Sequence, residues 1–389
     1  MQSSTATKRP AEEAFPSPAA AAKIATVETL RIAWAPGDAP GRRSALVRVT
    51  TEDGTEGYGE ASPMMGGEHS LGIIDRDIAP DLVGASPFDT AVLHDRLLHK
   101  LVKLGPEGAA TGALAAVDIA LWDIKGKLLG LPVHALLGGA WRRKVAFYAS
   151  IGGNARRSTN AMLQEVEARL TAEQPAAIKI RWDGDRTRQD EDIPGDIAKA
   201  RAVRDLVGPD LPLAFDANNL YSVSGAIRVG RALEDLGYAW FEEPVQHYDI
   251  HGMGEVARKL DITVSAGEQS YTLNAVLDLI RAGVRMVQPD IIKMGGITGL
   301  MRCFALAQAH GVEIVPHQTQ PIIGHLANLH VVASQMHMTR PAEYADPSGR
   351  MDVGFLNPPR PKGGFFELGD DPGLGITVDA QALEGRRIG

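Results

Sequence analysis

Residues 211–244 read LPLAFDANNLYSVSGAIRVGRALEDLGYAWFEEP, and the fold is decided there. Leu213-Ala-Phe-Asp216 is a short apolar run that ends on a carboxylate. Ser224–Leu236 then carries apolar residues at helical spacing, and Gly237 stops it. Ala239-Trp-Phe-Glu242 repeats the first run and again ends on a carboxylate. The pattern is one βαβ unit, two short apolar strands joined by an amphipathic helix.

Outward from this unit the same texture recurs about every 25 residues. Val145–Ser150 and Ala177–Arg181 precede it; Thr263–Ala266, Met286–Asp290 and Val312–His317 follow, with a helix at Thr298–His310. An eighth strand is expected around Ala342-Glu-Tyr344. Repeats of this number predict an α/β fold, a TIM barrel of the (β/α)7β type. An open doubly wound sheet is the alternative, but no Gly-rich phosphate loop follows an early strand. Before the barrel, Ser44–Thr50 alternates, turns at Glu52-Asp53-Gly54 and returns as Glu56–Glu60, a hairpin. Thr111–Lys127 then reads as a helix. Strands followed by helices suggest an α+β unit over residues 24–140, ahead of a barrel over 141–349. Residues 1–23, rich in Ala, Ser and Pro, read as a disordered tail.

The chain has 389 residues, enough for two domains, and its 40 basic against 48 acidic residues give a net charge of −8. That balance leaves no electrostatic footprint for nucleic acid or anionic membrane. No apolar run approaches the roughly 20 residues that span a bilayer. The single cysteine, Cys303, excludes an internal disulfide framework, and with no secretory h-region the expectation is a cytoplasmic protein.

The polar residues fall at one end of the strands. Lys179, Arg181, Asp216, Asn218, Glu242, Asp290 and His317 stand at or just past strand C-termini, and Glu268 follows close after one. In a barrel that end is the catalytic face. Asp216, Glu242 and Glu268 are spaced 26 residues apart, one βα unit each. Three converging carboxylates repel unless a cation sits among them, and an all-oxygen set points to Mg²⁺, with Mn²⁺ as the alternative. Carboxylates that merely cap the following helices would occupy similar positions singly, but not three in register. Asp290 and His317, again one unit apart, form a pair in which the carboxylate fixes the imidazole tautomer and raises its basicity.

Taken in order, Lys179-Ile-Arg181, Asp216-Ala-Asn218, Phe241-Glu-Glu-Pro244, Ala266-Gly-Glu268, Gln288-Pro-Asp290 with Gly295-Gly296, and Pro316-His317 resemble the enolase superfamily, and within it the mandelate racemase branch. The helix with Asp118-Ile-Ala-Leu-Trp-Asp123 and the Gly138-Gly139 after it match as well. The resemblance implies an N-terminal α+β capping domain completed by a C-terminal segment, 350–389. It implies metal ligation by Asp216, Glu242 and Glu268, and a base at His317 backed by Asp290. Lys179 and Arg181 would be catalytic, with Glu343 at the enolate oxygen. It also implies a small-molecule carboxylate substrate and a homo-oligomer, a dimer or an octamer. The capping loops Trp34–Asp38 and Ser62–His69 would then close over the barrel mouth, which makes Trp34 and His69 candidate substrate contacts, beside Asn218 at the strand end.

Arg181 departs from the racemase, which has Lys there as a second base; a guanidinium stays protonated and is a poor base. One base favours a one-face reaction, the syn-dehydration of an acid sugar to a 2-keto-3-deoxy acid. A racemase, epimerase or cycloisomerase is the second expectation, and a non-catalytic barrel binding metal and acid sugar the third. Muconate-type cycloisomerisation is disfavoured, because Asp290 stands where that branch has Lys and Lys293 comes three residues later.

Overall fold

The computed structural model describes residues 22–34, 43–61, 67–105, 107–338, 340–345 and 354–388. Most of the expected N-terminal tail, residues 1–21, lies outside them.

Three strands open the fold: β1 (Ile24–Ala33), β2 (Arg43–Thr51) and β3 (Glu56–Glu60), an antiparallel sheet in sequence order. The helix Ala109–Leu129 lies on β3 so closely that Gly57 and Gly59 admit no side chain. A Cβ at Gly59 would overlap the Ala116 carbonyl, and one at Gly57 the Ala120 carbonyl. The Gly-Tyr-Gly spacing of β3 and the alanines of the helix are therefore one packing solution. Ala113, Ala116 and Ala120 join Val47 and Val49 of β2 in a hydrophobic cluster distinct from that of the barrel.

Eight parallel strands follow: β4 (Lys144–Ile151), β5 (Ala177–Arg181), β6 (Leu213–Asp216), β7 (Trp240–Glu242), β8 (Thr263–Ala266), β9 (Met286–Val287), β10 (Glu313–Ile314) and β11 (Ala342–Tyr344). Their order is β10-β9-β8-β7-β6-β5-β4-β11, with one helix in each of the seven intervals. This is the expected (β/α)7β barrel. The register sets the site: Arg181 pairs with Asp216, and Asp216 with Glu242, so neighbouring strands end level. A short strand, β12 (Phe365–Glu367), runs antiparallel to the start of β4 and packs Phe366 against Phe147 and Tyr344.

Two buried carboxylates tie the N-terminal layer to the barrel. Asp118 accepts the Thr298 backbone N–H (2.9 Å) and hydroxyl (2.6 Å) at the start of the helix Ile297–Ala309. Glu60, the last residue of β3, accepts the Gly324 N–H (3.0 Å) at the start of the helix Ile323–Ser334 and the Ser44 hydroxyl (3.2 Å). Each satisfies donors that a helix cannot satisfy itself. The chain then returns to its beginning. Leu374 N–H donates to Asp123, and Ile388 N–H donates to the Arg31 carbonyl at 2.8 Å beside an Ile32–Arg387 bridge. Among the described residues no helix is long and apolar enough to cross a membrane.

Candidate active site

Strand alternation turns Lys179 and Arg181 to the same side of β5 while Ile178 and Ile180 pack the other way. Lys179 is fully buried, and burying an ammonium demands counter-charge. Its Nζ lies 2.7 Å from Glu242 Oε1, 2.8 Å from Glu343 Oε1 and 3.6 Å from Asp216 Oδ2. These carboxylates hold it well above the ordinary lysine range against the opposing effect of burial. Tyr148 of β4 places its ring 5.5 Å from the same ammonium.

Asp216, Glu242 and Glu268 are buried, and each offers one oxygen within 4.8 Å of the others. Burial and then the Glu242 charge push Asp216 well above the usual carboxylate range. Glu242 is likewise raised, chiefly by burial. For Glu268 burial is outweighed by the positive charges of His317, Lys293, Lys179 and Arg181, which bring it down to about 2. One ammonium among so many carboxylates leaves an excess of negative charge that a divalent cation would relieve, and the three oxygens suit a hard cation. The residues fit Mg²⁺.

The loops after β6 and β7 pass through left-handed backbone at Asn218 (φ 49°), Asn219 (φ 68°) and Glu243 (φ 39°), three non-glycine residues held there by surrounding bonds. Asn219 donates its amide to Glu243, which leaves Glu242, not Glu243, in the carboxylate cluster. Asn218 lines the cavity, but its side-chain oxygen accepts the Asp183 N–H at 2.8 Å and its amide reaches Asp216 at 3.4 Å. Gln288 steadies Glu242 through a 2.8 Å bond.

His317 stands opposite. Its Nδ1 is 2.7 Å from Asp290 Oδ2 and its Nε2 is 3.2 Å from Glu268 Oε2. Burial disfavours the imidazolium, but Glu268 and Asp290 outweigh it and hold His317 up at about 9. Asp290 is itself fixed by the Ile292 N–H (2.7 Å) and by the Gln320 amide (3.2 Å). Glu343, buried on β11, accepts the Gln318 N–H at 3.0 Å, and so joins β11 to the segment after His317.

Arg181 forms an ion pair with Asp183 at 2.9 Å, and Asp183 also accepts the Gly153 N–H at 2.7 Å. Although burial opposes its charge, Asp183 and Asp216 raise Arg181 above the ordinary guanidinium range, so it is a fixed cation.

A cavity of about 330 Å³ opens between these groups, lined by Arg181, Asn218, Glu268, Asp290 and His317, with Ser70 and Ala109 contributed by the N-terminal layer. Two expected contacts do not line it. His69 is exposed on the helix Gly67–Ile73, and Ser70, one residue on, is the side chain that turns inward. Trp34 is half-buried and donates to the Ser44 hydroxyl at 3.3 Å. The rest of both loops, residues 35–38 and 62–66, lies outside the described residues. Asp183, Arg186, Gln269 and Lys293 also line the cavity, and Gln320 bonds Asp290, although none of them ends an apolar run in the sequence. The polar residues on either side of Thr319, in His317-Gln-Thr-Gln320, were the available signal.

Two family models match. "Mandelate racemase / muconate lactonizing enzyme, N-terminal domain" covers residues 22–138, and "Enolase C-terminal domain-like" covers residues 161–382. A crystal structure of a mandelate racemase/muconate lactonizing protein from Paracoccus denitrificans PD1222, complexed with magnesium, is 66% identical and superposes with a TM-score of 0.92. The match covers 95% of this chain and 99% of that one. Arabinonate dehydratase from Saccharolobus solfataricus is 30% identical over 85% of this chain and 87% of its own length. D-galactarolactone cycloisomerase from Agrobacterium fabrum is 30% identical over 88% and 90%. With both domains matched and the metal-ligand geometry in place, the chain belongs to the mandelate racemase subgroup of the enolase superfamily.

Proposed function

We propose that the chain dehydrates an acid sugar to a 2-keto-3-deoxy acid, with Mg²⁺ held by Asp216, Glu242 and Glu268. The observation that carries this reading is that, among the described residues lining the cavity, His317 alone is placed as a base, Lys293 being held charged against burial by Glu268 and Asp290. His317 faces the cavity with Asp290 behind it, while Arg181 is locked on Asp183 and Lys179 on Glu242 and Glu343. Neither cation is suited to accept a proton, so both proton transfers fall to His317.

Bound Mg²⁺ supplies positive charge that stabilises the enediolate formed when the α-proton leaves. The chain's own groups do the rest. Lys179 brings a second positive charge to the end of the cavity where the substrate carboxylate binds, and Arg181 presents its fork to a carboxylate or hydroxyl oxygen. His317 Nε2, released from its Glu268 contact once that carboxylate serves the metal, is the neutral nitrogen that takes the proton from the α-carbon, held in its tautomer by Asp290. The resulting imidazolium returns that proton to the β-hydroxyl on the same face. The C–O bond breaks, water leaves, and the enol product tautomerises to the 2-keto acid. The likeness to arabinonate dehydratase supports the lyase reading; the likeness to D-galactarolactone cycloisomerase supports an isomerase on the same groups.

The test is a screen of the Mg²⁺-loaded protein against mono- and diacid sugars, with 2-keto-3-deoxy products trapped by semicarbazide. Product that disappears with EDTA and in His317→Asn is the expected result. Exchange of the α-proton in D₂O without dehydration would move the assignment to an isomerase. Neither exchange nor product would sink the acid-sugar reading.

A further inference from the structure

The two residues of the proton-transfer pair lie beyond the ladder of the barrel. β9 ends at Val287 and β10 at Ile314, and Asp290 and His317 meet through an isolated bridge past those ends. Strand pairing therefore does not fix Asp290; the turn that follows it must. In that turn the Asp290 carboxylate accepts the Ile292 and Lys293 N–H groups at 2.7 and 3.3 Å, and its carbonyl accepts the Met294 N–H at 2.9 Å. The Gly296 N–H closes the turn on the Ile291 carbonyl at 2.8 Å, and Gly296 caps the helix Ile297–Ala309.

This turn rests along the helix Ala109–Leu129 of the N-terminal layer. A Cβ at Gly112 would lie 3.8 Å from Ile292, one at Gly295 would lie 3.4 Å from Leu114, and one at Gly296 would overlap the Asp118 side chain. Left-handed backbone at Gly295 (φ 79°) and Gly296 (φ 93°) permits the approach. Asp118 then holds the far end of the turn with both oxygens, Oδ2 on the Thr298 N–H at 2.9 Å and Oδ1 on its hydroxyl at 2.6 Å. Trp122, one helical turn on, donates its indole N–H to the same hydroxyl at 3.0 Å. Asp118 is buried, and both its oxygens bind neutral donors. Apolar side chains would join the two layers at lower cost than a carboxylate buried in this way. What the carboxylate adds over apolar packing is a fixed position for Thr298 and for the turn before it.

We propose that Asp118, through Thr298 and the turn Ile291–Gly296, is a positioning residue for the Asp290–His317 pair. Its two bonds keep the Asp290 carboxylate 2.7 Å from His317 Nδ1, the contact that holds a proton on Nδ1 and leaves Nε2 free for the substrate. The N-terminal layer thus sets the geometry of the base as well as lining the cavity with Ser70 and Ala109. The inference rests on the reading of His317 as the base and is independent of which acid is the substrate.

The experiment is nitrogen NMR of the full-length, Mg²⁺-loaded protein with histidine labelled at its ring nitrogens. The His317 signals are identified by their loss in His317→Asn. The parent is expected to show a protonated Nδ1 and an unprotonated Nε2. Thr298→Val removes the hydroxyl and Asp118→Asn one of the two acceptors. In both, the two signals are expected to move toward each other as the proton divides between the nitrogens, and Thr298→Ser to keep the parent positions. Arg302→Met cuts the half-exposed Asp95–Arg302 pair (2.6 Å), which joins the helix Ile297–Ala309 to the helix Thr90–Leu101 of the same N-terminal layer, and is expected to leave the signals in place. On the acid sugar returned by the semicarbazide screen, Thr298→Val is expected to lower kcat on the order of 10- to 100-fold with KM held, the loss that misplacing a group by about 1 Å produces. Signals unmoved in both Thr298→Val and Asp118→Asn overturn the proposal. Signals that move as far in Arg302→Met or Thr298→Ser overturn it too, because general loosening of the interface is then the cause. So does a raised KM with kcat intact. If the signals shift as expected but no acid sugar turns over, the positioning role stands and the acid-sugar reading falls.

Discussion

With Lys179 removed, Asp216, Glu242 and Glu343 would face one another in a dry barrel with no ammonium between them. Breaking a buried ion pair from one side costs about 3–5 kcal/mol. Lys179→Met is therefore expected to lower the stability of the EDTA-treated protein by that order, with part of the loss restored by Mg²⁺. Thermal melts with and without the metal read both effects, and a variant as stable as the parent in EDTA would contradict the assigned charge balance. His317→Asn also strips buried Asp290 and Glu268 of their cation and is expected to lower the melting temperature, with α-proton exchange reduced on the order of 10²–10⁴-fold, the usual worth of general acid–base catalysis.

The strands and helices were largely legible in the sequence, because βα periodicity and the carboxylates that end the strands are local patterns. β5, β6 and β8 fall where the apolar runs place them. β9 and β10 are shorter than their runs, since Asp290 and His317 meet only through an isolated bridge past the ladder. The cations on the loops were not legible as a set, because nothing in the spacing of Arg186 and Lys293 shows that two loops converge on one cavity. Nor was the second use of Glu60, whose partner Gly324 is 264 positions away. Burial raises Glu60 to about 7, despite the Gly324 and Ser44 bonds. A folded-state value above the unfolded one of 4.5 means that the protonated form is favoured in the fold. Its contribution is complete below about pH 4.5 and is lost as pH rises through about 7. Glu60→Gln keeps the shape without the charge. Relative to the parent it is expected to gain on the order of 2–3 kcal/mol between pH 5 and pH 8. Urea unfolding at the two pH values measures this, and an unchanged difference would refute it.

At the scale of the whole molecule, a ligand that binds only the folded chain stabilises it by about 2.7 kcal/mol at a hundredfold excess over its dissociation constant. Saturating Mg²⁺ is expected to raise the melting temperature accordingly, and Asp216→Asn to abolish that response. The return of residues 386–388 to β1 predicts a second whole-chain effect. Deleting them removes the bonds to Arg31 and Ala33 and is expected to cost about 1–3 kcal/mol, read as a lower urea midpoint. The same return has a temporal meaning. Arg387 reaches Glu28 across 359 positions, so during translation β1 emerges from the ribosome long before the segment that covers its edge. At a synthesis rate of about 5–20 residues per second that interval is tens of seconds, in which the first strand made waits for its neighbour.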